Sequence, residues 1–91
     1  MKTYLITYEL IYGDEYQSTI NLVRKIQMFS FWAHPVKNVW LVKSDSDRAA
    51  IYNYLRPYLY PSDKILIMSV TDDWIAFNLS KEVVEWMQGG L

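Results

Sequence analysis

Hydrophobic and polar positions along this chain change period several times, and each change marks an element. The stretch Thr3 to Ile11 is rich in β-branched and aromatic residues and predicts a strand. Gly13 breaks it, and Asp14 with Gln17 three residues on has capping-box spacing at a helix start. From Glu15 to Phe29 the apolar positions Tyr16, Ile20, Val23 and Ile26 recur at helical spacing, with Gln17, Asn21, Arg24 and Lys25 on the other side. Phe31-Trp32-Ala33 reads as a short strand that Pro35 confines to a sheet edge, because proline cannot donate to a ladder. Pro35 to Asn38 is then a turn into a stronger strand, Val39-Trp40-Leu41-Val42.

Ser44 and Asp47 offer caps for a second helix from Asp47 to Tyr58, burying Ile51, Leu55 and Tyr58, with Pro57 in or near its last turn. Pro61-Ser62-Asp63 is a turn into a strand from Lys64 to Val70. Asp72-Asp73 reads as a hairpin turn leading to a fifth strand, Trp74-Ile75-Ala76-Phe77. Ser80 caps a short terminal helix, residues 81–88, stopped by Gly89-Gly90. The order β-α-β-β-α-β predicts an α+β, ferredoxin-like two-layer sandwich with an extra C-terminal strand and a short terminal helix.

The strands do not alternate cleanly between apolar and polar. Leu5 and Thr7 oppose Tyr4, Ile6 and Tyr8; Val39 and Leu41 oppose Trp40 and Val42; Ile65 and Ile67 oppose Leu66, Met68 and Val70. Two helices cover one face, and an eight-residue terminal helix bearing Val83, Val84, Trp86 and Met87 is short for the other. The expectation is a symmetric homodimer through the open sheet face.

Composition narrows the function classes. The 91 residues make one domain, and 52% hydrophobic against 21% charged residues excludes intrinsic disorder. No apolar run approaches the ~20 residues of a membrane helix, and no leader pattern opens the chain, so a cytoplasmic protein with no membrane partner is expected. The absence of cysteine removes disulfides and thiolate metal sites. Nine basic against ten acidic residues provide little bulk charge for nucleic acid. No phosphate loop, HExxH or zinc spacing is present, and the single histidine, His34, has no nucleophile beside it.

Two sets of residues carry candidate chemistry. Glu9, near the end of the first strand, shares a face with Leu5 and Thr7; paired across a dimer axis, two such carboxylates suit a hard divalent cation such as Mg²⁺ or Mn²⁺. Its plainer reading is a solvated charge at a sheet edge, paired with a lysine. Tyr52, Arg56 and Tyr60 follow at i, i+4 spacing, and Lys37, Lys43 and Arg48 lie near the hairpin; together they form a candidate nucleic-acid-binding surface, or an ordinary amphipathic rim.

The stretch Tyr4-Leu5-Ile6-Thr7-Tyr8-Glu9-Leu10, a capped helix, a hairpin ending Val39-Trp40-Leu41-Val42-Lys43-Ser44 and a second helix before Asp63-Lys64-Ile65-Leu66 resemble the Cas2 family of CRISPR-associated proteins, and more loosely the VapD toxins. The resemblance spans residues 1–79 and implies a ferredoxin-like protomer dimerised across sheet faces. In that family an aspartate after the tyrosine near the end of the first strand is linked to metal-dependent phosphodiester cleavage; here the position holds Glu9, and Ile11-Tyr12-Gly13-Asp14 replaces the usual basic and polar residues beyond it. The leading expectation is a homodimeric Cas2-like protein acting through assembly or protein interaction. Its rivals are an endonuclease using metal held by Glu9 of both protomers, and a non-catalytic nucleic-acid binder.

Overall fold

The computed structural model describes residues 1–13 and 16–91. Among these the elements are β1 (Lys2–Glu9), α1 (Gln17–Ile26), β2 (Phe31–Val36), β3 (Val39–Ser44), α2 (Arg48–Leu55), a 3₁₀ turn (Arg56–Tyr58), β4 (Lys64–Val70) and α3 (Lys81–Gln88). The four strands form one antiparallel sheet in the order β2-β3-β1-β4. Each of β1 and β3 therefore has neighbours on both sides, while β2, which holds Pro35, lies at an edge as expected.

Register sorts the side chains into rows across the sheet. On one face Trp32, Val42, Tyr4 and Ser69 are aligned, and next to them Trp40, Ile6 and Ile67. This face packs against Leu22 and Ile26 of α1 and Ile51 and Leu55 of α2, all fully buried. Inside that core Trp40 donates its indole N–H to the Tyr8 hydroxyl at 3.0 Å, so a buried donor is satisfied.

Helix starts follow local chemistry. Asp47 caps α2 by accepting from Ala50 N at 2.8 Å, and Ser80 caps α3 by accepting from Val83 N at 3.3 Å. Pro57 falls in the 3₁₀ turn, so the α-helical part of the second helix ends at Leu55 rather than Tyr58. The expected Asp14 cap and the helix start at Glu15 lie outside the described residues. α1 is shorter than its apolar periodicity predicts, and its buried stripe is Thr19, Leu22 and Ile26; Tyr16 is exposed and Ile20 and Val23 are half-buried. Leu22 and Ile26, four residues apart, set the contact with the sheet.

Two further expectations change. The fifth strand does not form among the described residues: 71–80 crosses the molecule as irregular chain. Trp74 turns inward to the second cluster, the Asp72 carboxylate accepts from Leu91 N at 2.7 Å, and Asn78 adopts φ 63°. Those anchors hold the segment away from the open edge of β4 and leave Ile75 and Phe77 97% and 90% exposed. The terminal helix also covers more than its length suggests. α3 lies on the second sheet face, where Met87, Val83 and Trp86 close over Ala33, Leu41, Leu5 and Val70, assisted by Trp74, Leu79 and Leu91. Lys43 Nζ sits 4.6 Å from the Trp86 ring centroid and pins the helix by a cation–π contact.

Replacing Tyr8 with Phe removes the acceptor of the buried Trp40 indole. Urea unfolding should show a loss of about 1–3 kcal/mol, and an unchanged midpoint would contradict this account of the core.

Candidate functional site

The second face is closed at one end only. Its rows run Phe31–Lys43–Thr3–Val70, then Ala33–Leu41–Leu5–Met68, then Val36–Val39–Thr7–Leu66, and finish at the pair Glu9–Lys64. α3 and the chain leading into it cover the first two rows as far as Leu5 and Val70. Beyond them Leu66, Met68 and Val36 are exposed, and Thr7 and Val39 are half-buried. An apolar strip thus runs along β4 and across the sheet to the hairpin, with one charged pair at its end.

Glu9 ends this strip. Its carboxylate is 3.8 Å from Lys64 Nζ, its cross-strand partner, and both side chains are largely exposed. Within one chain this is the lysine-paired edge charge of the plainer reading, worth about 1 kcal/mol or less. The described residues contain no group of three or more His, Asp or Glu side chains arranged for a metal ion. Among the described residues Glu9 therefore has no second carboxylate grouped with it for a cation.

The basic and aromatic candidates are dispersed. Lys37 lies in the β2–β3 turn, whereas Lys43 stands at the far end of β3 with its ammonium over Trp86. They are six positions apart along nearly extended chain, about 20 Å. Arg48 and Tyr52 line a shallow groove of about 220 Å³ between α2 and β4, beside Ile65 and Ile67. Arg56 lies in the 3₁₀ turn with a long 3.4 Å contact to Leu59 O, and Tyr60 is beyond the helix, its ring 5.0 Å from that of Tyr12. The helical stripe that spacing predicted from Tyr52 to Tyr60 therefore breaks at Leu55, because Pro57 redirects the chain.

Asp63 organises this end of the molecule, where its sequence suggested only a turn. One carboxylate oxygen accepts from Ile11 N at 2.8 Å and the other from Tyr60 N at 2.7 Å, tying the exit of β1 to the entry of β4. Tyr12 packs on both Tyr16 and Tyr60, at 4.6 and 5.0 Å between ring centroids. An aspartate just before a strand is a common turn signal, and nothing in its local sequence marks a partner 52 residues away.

Comparison with protein-family models, with curated proteins and with solved structures finds no match to the chain. Among the described residues no helix is long and apolar enough to cross a membrane.

Asp63→Ala leaves two backbone donors without their charged acceptor. Thermal and urea melts should show a loss of about 1–3 kcal/mol, with Asp63→Asn intermediate; wild-type stability in Asp63→Ala would remove its clamp role.

Proposed function

We propose that this chain is a Cas2-like protein that works as a symmetric homodimer, through assembly rather than catalysis of its own. The uncovered strip on the second face, Leu66, Met68 and Val36, carries this reading. It continues an apolar cluster already formed in one chain, and exposed apolar surface rimmed by polar groups is characteristic of association sites. A second copy suits it because the strip ends in one acid and one base. Under a two-fold axis Glu9 can face the partner's Lys64, so neither charge need be buried unpaired. The strand order β2-β3-β1-β4, with a helix in each of two crossovers, supports a ferredoxin-like fold for the protomer.

The position of Glu9 at the end of the same strip favours one second reading. A two-fold axis near it brings two carboxylates together, a donor set for Mg²⁺ or Mn²⁺ that polarises a phosphodiester and activates water. Glu9 is then the catalytic and metal-binding residue. Nucleic-acid contact by Lys37, Lys43, Arg48, Tyr52, Arg56 and Tyr60 has less support, since these residues are dispersed and Lys43 is engaged with Trp86.

Light scattering coupled to size exclusion should report a dimer of twice 10.8 kDa for wild type and a folded monomer for Leu66→Glu or Met68→Lys. A wild-type monomer across the micromolar range would contradict the assembly reading. Nuclease activity with Mn²⁺ that disappears in Glu9→Ala while the dimer persists would establish the second reading in its place.

A further inference from the structure

On the opposite side of the sheet from the proposed dimer face, an open cleft of about 440 Å³ lies between α1 and the β2–β3 hairpin. Its size is within the ~300–1,000 Å³ of small-molecule sites. One wall is a stripe of α1 and its C-cap, Thr19, Val23 and Gln27 at successive i+4 positions, with Arg24 beside it. The other wall is Trp40, held by its hydrogen bond to Tyr8 and by His34, whose ring stacks on the indole at 3.8 Å between centroids and 6° between planes. Both walls are thus on regular elements and fixed by packing.

The cleft carries hydroxyl and cationic donors. Thr19 is only 4% exposed, and its hydroxyl has no hydrogen-bond partner among the described residues. A buried hydroxyl left unpaired is a standing cost that a ligand oxygen removes. His34 Nε2 is 2.9 Å from the backbone oxygen of Lys37; a carbonyl only accepts, so Nε2 carries the proton and Nδ1 is left for other partners. Arg24 contributes a guanidinium, and among the described residues no Asp or Glu lines the space. Ile20, Val23 and Trp40 supply an apolar side. Cationic and hydroxyl donors opposite an aromatic wall suit an anion with an apolar body, and the guanidinium fork matches phosphate oxygens.

We propose that this cleft binds a small organic phosphomonoester of mononucleotide size. Arg24 faces the phosphate, the Thr19 hydroxyl meets a ligand oxygen, and the organic body lies along Ile20, Val23 and the exposed His34 ring that stacks on Trp40. The site is independent of dimerisation, since it uses the helical face of the sheet.

The test is titration of the ¹⁵N-labelled protein with adenosine monophosphate, followed at the Trp40 indole N–H signal, with adenosine, inorganic phosphate and succinate as further probes. Adenosine monophosphate should bind with a dissociation constant below about 1 mM, and Arg24→Gln should weaken it about tenfold. Adenosine should bind far more weakly, and succinate should leave the signal unmoved. Thr19→Val should melt at the wild-type temperature or above it yet bind several-fold less tightly, a combination that a purely structural threonine does not produce. A Trp40 signal unmoved by adenosine monophosphate, equal affinity in wild type and Arg24→Gln, or succinate binding as tightly as the nucleotide would each overturn the proposal.

Discussion

Along the central strand Tyr4, Ile6 and Tyr8, all buried, alternate with buried Thr3 and half-buried Leu5 and Thr7, so both faces of the strand lose contact with water. A strand of this kind cannot sit in a sheet covered on one side. β1 accordingly has β3 and β4 as neighbours, α1 and α2 above one face, and the C-terminal segment below part of the other. The remaining architecture follows from that requirement. The edges fall to β2, which tolerates Pro35, and to β4, whose outward rows are the least covered. Covering one face fully and the other by half leaves an apolar strip whose position is dictated by where α3 stops.

The main elements were legible because their signals are local. Asp47 and Ser80 each precede a helix and hydrogen-bond the backbone three residues on, as their identity and spacing predict. β-branched and aromatic runs located all four strands, and Pro35 identified an edge. The failures arose where a distant partner outweighs local preference. Trp74-Ile75-Ala76-Phe77 has strand composition, but Trp74 is drawn into the cluster under α3 and Asp72 binds Leu91 N, so the segment runs as irregular chain. Counting α3 as eight residues also underestimated it, because Trp86, Met87 and the Lys43 contact make its coverage dense, and Trp74, Leu79 and Leu91 extend it.

The candidate sites were legible in part. Spacing located Glu9 at the end of a strand and suggested a lysine partner, which is Lys64. It did not separate Lys37 from Lys43, because residues six apart are near in sequence and at opposite ends of a strand in space. The Trp40–His34 stack, the unpaired Thr19 hydroxyl and the Asp63 clamp all join residues from different elements, and no periodicity encodes such pairs. Sequence patterns therefore describe this molecule best where one element decides its own conformation, and least where elements meet.

The claim that the uncovered half of the second face is occupied by a second copy is tested most directly by methionine oxidation. Met28 and Met68 are both exposed in the single chain, whereas Met87 of α3 is buried against the sheet. Peroxide treatment read by mass spectrometry at low and high protein concentration compares all three in one sample. Rapid oxidation of Met28 at every concentration, slow oxidation of Met87, and protection of Met68 that grows with concentration are the predicted results. Oxidation of Met68 that keeps pace with Met28 at all concentrations would contradict the account.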